Sequence, residues 1–231
     1  MKKQSKMNML CRLAIVTALP VALISVGSVL SGCAVDSNAQ NAVAADPLAQ
    51  LRAANELAEQ AATAELAAED FQRRGEPASK VRVKQEEALV LYQRSIAAYR
   101  DYAPAWNNMG KIYMDQGRSM EAKEAFVTAA ELAPTDPRAM SNLGLLWEKL
   151  QYADEAQRAY ESALSRNPQY LPALRQAIML DVTFDRITQT TAERIKEALV
   201  LETDSAWKER LSRAKILVDD RNANSREIFA R

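Results

Sequence analysis

Apolar residues are distributed along this chain in three different ways. From Leu13 to Leu30 they form one run, softened by Pro20, Ser25, Gly27 and Ser28. From Ala34 to Asp46 (AVDSNAQNAVAAD) the residues are small or polar and show no stripe, which reads as a flexible tether. From Pro47 onward apolar residues recur at three- and four-residue intervals, the spacing of one face of an α-helix. Asp46-Pro47 predicts the start of the first helix. Aspartate accepts from the unpaired N–H groups of a first turn, and proline lacks the N–H that would go unpaired there.

Inside the helical part the pattern repeats with a period of 34. Trp106, Met109, Gly110, Tyr113, Gly117, Ala122, Phe126, Ala129 and Pro134 form one set. Thirty-four residues on stand Met140, Leu143, Gly144, Trp147, Gln151, Ala156, Tyr160, Ala163 and Pro168. A fixed period of this length marks a supersecondary unit that cannot bury its apolar face alone and is stacked on its neighbours. The pattern resembles the tetratricopeptide repeat, W-x2-L-G-x2-Y followed by A-x3-F, A and P. The resemblance implies a helix pair per repeat. The glycine lets helices A and B approach, the aromatics fill the space between pairs, and the proline ends helix B.

Weaker copies flank the two clear ones. Ala88 and Tyr92 lie 34 residues before Ala122 and Phe126, and Phe71 and Gly75 repeat the spacing of Tyr113 and Gly117. Eight extra residues between Gly75 and Ala88 are expected to form an enlarged turn around Glu76-Pro77-Ala78-Ser79, after one long helix A starting near Leu48. Leu174, Ala177, Ile195, Ala198 and Leu199 continue the pattern with one added residue, although Ile178 and Asp181 stand where glycine and tyrosine belong. Trp207, Leu211, Ala214 and Leu217 or Val218 have helical spacing and predict a cap over the last apolar face. The expected fold is all-α: an α-solenoid of about four pairs over residues 47–231, with repeats near 61–102, 103–136, 137–170 and 171–204 and a capping helix near 205–219.

The N-terminal run has its own reading. Lys2, Lys3, Lys6 and Arg12 precede it, no acidic residue does, and it ends in Leu30-Ser31-Gly32-Cys33. A positive start, an apolar stretch and small residues at a cleavage point describe an export signal, to be set apart from the fold. The final four residues resemble the bacterial lipobox. That resemblance implies residues 1–32 as a lipoprotein signal peptide, lipidation at Cys33, and 33–46 as the lipidated tether. Several acyl chains anchor stably where one does not. Ala34, rather than aspartate, follows the cysteine, which resembles the pattern of proteins sent to the outer membrane. The alternative is a plain transmembrane anchor, since 18 residues approach spanning length.

Charge and chemistry narrow the function. The whole chain has 30 basic and 30 acidic residues; without the four cations of the leader, 26 face 30. A mildly acidic body lacks the clustered positive charge that nucleic acid requires. There is no histidine, and the two cysteines are Cys11, in the leader, and Cys33. Close-spaced Cys/His zinc sites and Ser-His or Cys-His nucleophiles are thereby excluded. Ser205-Ala-Trp-Lys208 and Ser212-Arg-Ala-Lys215 match S-x-x-K, but the companion S-D-N and K-T-G motifs are missing. No enzyme and no cofactor beyond a lipid on Cys33 is expected.

In the resembled family, helix A of each repeat lines a groove. By phase the groove positions are Glu65 and Glu69, then Asn107, Asn108, Lys111, Met114 and Asp115 in the second repeat. The third gives Arg138, Ser141, Asn142, Leu145, Glu148 and Lys149, and the fourth Arg175, Gln176 and Met179. Asn108, Asn142 and Gln176 stand in one phase. A carboxamide both donates and accepts, so such a ladder suits the backbone of an extended peptide. Glu65 and Glu69 occupy places where a carboxylate-binding clamp has lysine and asparagine, so no such clamp is expected. The expectation is an outer-membrane-anchored periplasmic adaptor holding a protein or peptide partner, in assembly of a pilus, secretion or envelope complex. A self-associating tether is the alternative from a different class, and an envelope hydrolase a remote one.

Overall fold

Asp46 begins the folded part as its sequence suggests: its side chain accepts from the Leu48 N–H at 3.0 Å, and Pro47 follows in the first turn. The computed structural model describes residues 46–229, all within one compact unit, Val43–Arg231. The expected leader, the lipidation site Cys33 and most of the tether lie outside the described residues. Among the described residues there are nine α-helices and no strand, and none of the helices is long and apolar enough to cross a membrane.

The helices are α1 (Pro47–Arg73), α2 (Ala78–Ala98), α3 (Ala103–Asp115), α4 (Ser119–Leu132), α5 (Arg138–Lys149), α6 (Ala153–Arg166), α7 (Leu171–Thr183), α8 (Gln189–Leu201) and α9 (Ser205–Phe229). Odd-numbered helices α1 to α7 are the A helices and even-numbered ones the B helices. Each pairs with the next along the chain, as a solenoid requires. In addition α3 touches α5 and α5 touches α7, so the A helices line one continuous face. Two large apolar clusters share most of the load, with a small third one of Ala129, Ala130 and Ala139. One large cluster gathers residues of α1 to α6, from Ala58 to Ala159. The other runs from Ala156 to Val218. Trp147 and Met140 pack against both.

Gly110 and Gly144 sit where the repeat physics places them. A Cβ on Gly110 would lie 2.6 Å from Phe126 ring carbons, and one on Gly144 would lie 2.5 Å from Cε1 of Tyr160. The fourth pair exchanges this aromatic-on-glycine contact for two aliphatics: Ile178 and Ile195 are fully buried in the same cluster. Asp181, where the pattern has tyrosine, is buried too and accepts from the Thr191 hydroxyl at 2.8 Å. Burial pushes its carboxyl above the ordinary range.

Every A–B turn closes in the same way. The N–H groups of Gly117 and Arg118 donate to the carbonyls of Met114 and Tyr113, a Schellman closure with Gly117 left-handed. Gly75, Gln151 and Asp185 hold the corresponding place, with φ of 69°, 64° and 56°. Glycine adopts this conformation freely, whereas Gln151 and Asp185 bear the strain of a Cβ.

Two expectations need correction. No enlarged turn exists after Gly75; the loop between α1 and α2 is residues 74–77. The extra residues are helical, on both sides. In the third repeat the Tyr160 hydroxyl bonds Glu148, three residues before Gln151. In the first hairpin the Tyr92 hydroxyl bonds Glu65, ten residues before Gly75. Counted from the turns to the tyrosines, the intervals are nine and seventeen residues. The first hairpin therefore overhangs its neighbours by about two turns, roughly 11 Å. Nothing between Ala78 and Gln85 breaks a helix: no glycine or proline occurs there. An alanine ridge on α1 (Ala54, Ala58, Ala61, Ala64 and Ala68) lets α2 lie close along it, and the Ser95 hydroxyl donates to the Ala54 carbonyl at 2.7 Å. The second correction is that the cap helix runs well past residue 219, to Phe229. Leu211, Ala214 and Val218 are its buried face, while Leu217 is exposed.

Candidate partner-binding groove

The A face carries one connected polar chain. Asn142 on α5 donates from Nδ2 to Oδ1 of Asn107 on α3 at 2.9 Å. Asn107 donates to Oδ1 of Asn108 at 3.3 Å, and Asn108 donates to the Tyr92 hydroxyl at 3.1 Å. Tyr92 in turn donates to Oε2 of Glu65, whose other oxygen accepts from Lys111 Nζ at 3.3 Å. Every donor between Asn142 and Tyr92 points along the chain toward Glu65. Each bond is thus polarised in the same sense, the arrangement in which hydrogen bonds reinforce one another. Burial first, and then donation to the Glu65 carboxylate, push the Tyr92 hydroxyl well above its ordinary range, so it remains a donor. Tyr160, donating to Glu148 at 2.8 Å, is raised for the same reasons.

The structure thus brings Asn107, Asn108, Asn142 and Lys111 together across α3 and α5. Each asparagine nitrogen has a second hydrogen beyond the one used in the chain, and a carbonyl oxygen accepts two bonds. Glu65 is an internal acceptor with a side chain only 13% exposed, and not the open groove acid that its phase suggested.

The other anticipated groove residues separate. Arg138 lies at the turn entering α5 and is held by Asp136, with contacts of 2.5 to 3.0 Å. That partner, more than any other influence, keeps the Asp136 carboxyl below and the Arg138 guanidinium above their ordinary values. Lys149 faces Asp115 at 3.6 Å, both half-exposed. Gln176 is half-buried and its side chain makes no hydrogen bond to another described residue. Ser141 is buried.

Arg175 requires a correction. Its Nε and Nη2 donate to the two oxygens of Glu202 at 2.6 and 2.5 Å, and its guanidinium lies 4.9 Å from the ring centre of Trp207. The Glu202 side chain is wholly shielded from solvent and also accepts from the Thr203 and Asp204 N–H groups at 2.9 Å. Arg175 therefore clips the cap helix to the last repeat and is not free for a partner. The Arg175 hydrogen bonds are the main cause that holds the Glu202 carboxyl below its ordinary range.

Sequence phase placed Glu65 on the groove but gave no sign of its Tyr92 partner, and it could not find Tyr92 or Glu202, which join from another helix and a loop. One signal was available: Tyr92 and Tyr160 bear hydroxyls where Phe126 has none, which calls for a polar partner nearby. Among the described residues no cluster of potential metal ligands occurs.

A stack of helix pairs presenting a polar A face defines a repeat scaffold. Residues 103–136 and 137–170 each match the tetratricopeptide repeat family, so the chain carries two such repeats and is a protein–protein interaction scaffold. Protein O-mannosyl-transferase TMTC3 is similar over 129 residues, at 24% identity in Homo sapiens and 30% in Mus musculus. That match takes in 55% of this chain and only 14% of the relatives' length. Among solved structures, the first TPR of Spaghetti (RPAP3) bound to HSP90 peptide SRMEEVD aligns with a TM-score of 0.46 at 17% identity, over 51% of this chain and 95% of that one. The MamA RS-1 ArsTM double mutant aligns at 0.44 and 16%, over 61% and 93%.

Proposed function

We propose that this chain is a lipid-anchored adaptor of a bacterial envelope, tethered through Cys33 to the outer membrane on its periplasmic side. It holds an extended segment of a partner protein against the A face and catalyses nothing. The observation that carries the binding part is the contiguous carboxamide row, Asn108–Asn107–Asn142, spanning two adjacent A helices. Its spare donors and acceptors match a peptide backbone, which needs both.

A photoreactive residue at Leu145, on the same face, identifies the partner in cells. The double change Asn108→Ala plus Asn142→Ala then weakens capture about tenfold or more, since each lost hydrogen bond is worth roughly 0.5–1.5 kcal/mol. The melting temperature also falls by a few degrees, because both asparagines belong to the internal chain. Capture that survives the double change at full strength refutes this placement of the partner.

The anchor rests on the Leu-Ser-Gly-Cys motif behind an apolar run. Cys33→Ser is expected to block lipidation and leave the uncleaved precursor in the inner membrane. Processing and membrane fractionation indistinguishable from the parent would rule the anchor out.

A further inference from the structure

We propose that the bay beneath the α1–α2 overhang is a second subsite of the groove, built for a stretch of the partner chain that carries one acidic and one basic side chain. This rests on the reading that the A face holds a peptide. The overhang projects beyond the A–B turns of the next repeats, and its inner wall meets the C-terminal ends of α3 and α5. Between them lies a volume of about 1050 Å³, lined on one wall by Glu69, Gln72, Ser79 and Arg82 and on the other by Asp115 and Lys149. Cavities that bury compact ligands span roughly 300–1,000 Å³, so this bay has room for several residues of an extended chain.

Charge decides the ligand class. Asp115 and Lys149 already face each other, and Glu76, which also lines the bay, is paired with Lys80 at 2.8 Å. Glu69 and Arg82 line the same bay, yet neither has an ion-pair partner among the described residues. A ligand of one sign is attracted by one of them and repelled by the other. An apolar ligand strips water from both and returns nothing. A segment with both signs satisfies both. The side chains of Gln72 and Ser79 make no hydrogen bond to another described residue, and each can donate to and accept from a main chain.

The bay is continuous with the groove. Lys111, at the end of the asparagine chain, stands one helical turn before Asp115 on the same face of α3. A peptide crossing Asn142 and Lys111 therefore runs on beneath the overhang.

The test places a photoreactive residue at Gln72 in the bay, at Leu145 in the groove, or at Val200, an exposed position on the B helix α8, in the full chain in cells. Mass spectrometry then maps the attached peptide. Gln72 and Leu145 should mark neighbouring residues of one partner segment with acidic and basic side chains, and Val200 should not mark it. With that segment as a synthetic peptide, the double reversal Glu69→Arg plus Arg82→Glu should weaken binding about tenfold, and swapping the peptide's charges should restore it. Capture from Leu145 with Gln72 silent overturns the subsite and leaves the groove standing. Silence at both removes the groove reading and this inference together. A captured segment without charges, or binding indifferent to the reversal, overturns the ligand class.

Discussion

Gly110→Ala lowers the melting temperature of the full chain, although alanine is the better helix former. In the interior of α3 the exchange gains up to about 1 kcal/mol of helix propensity. Against it stands a methyl group 2.6 Å from Cδ1 and Cε1 of Phe126, a ring with no exposed surface and hence nowhere to retreat. Overpacking of this kind costs about 1–3 kcal/mol, and Gly110→Leu should sit at or beyond the upper end. Gly144→Ala should cost more than Gly110→Ala, because the Tyr160 ring it strikes is also pinned by its hydroxyl to Glu148. Thermal melting of the single variants, together with Gly110→Ala combined with Phe126→Leu, checks the cause. The smaller side chain should recover most of the loss; a double variant no better than the single would show that the contact is not what fails.

The other large effect lies at the far end. Arg175→Met leaves the Glu202 carboxylate shielded from water with only two backbone donors. Breaking one side of a buried pair is far more damaging than replacing both, and a fall of about 10 °C is expected. The pH dependence identifies the cause. Glu202 has a folded pKa below its unfolded value of about 4.3, so its contribution is complete above that value and is lost as pH falls through the lowered one. In Arg175→Met the gap to the parent should therefore narrow on acidification, and adding Glu202→Gln should narrow it at neutral pH. A gap that stays constant from pH 7 to pH 3 would assign the loss to packing against Trp207 instead.

The middle of the stack was legible in the sequence because its contacts are local. Trp106 through Pro168 pack within a pair or onto the next, so one period of 34 carries the whole arrangement. The overhang was not, because eight polar-leaning residues after a Gly-Glu-Pro turn fit either a longer loop or a longer helix. What settles them as helix is the pairing of α2 with α1, a tertiary contact that no local pattern announces. The groove asparagines were legible by phase. Their occupation was not: Asn108 meets Tyr92 and Arg175 meets Glu202 across 16 and 27 residues, separations at which no periodic pattern operates.

The A–B closure has a consequence for how such a chain can grow. Each turn is sealed by bonds among its own few residues, so moving it outward disturbs no neighbouring repeat. The helices on either side, however, must keep their ridges facing each other. An α-helix returns to the same face after whole turns, so an added length is tolerated when it approaches a multiple of 3.6 residues. The first hairpin has gained seven residues on one limb and eight on the other, close to two turns on each. A single-residue insertion in either limb would rotate one part of that helix's packing face against the rest by about 100°. Hairpin length in this architecture is therefore inherited in discrete steps, and the depth of any bay beneath it changes by a helical turn at a time.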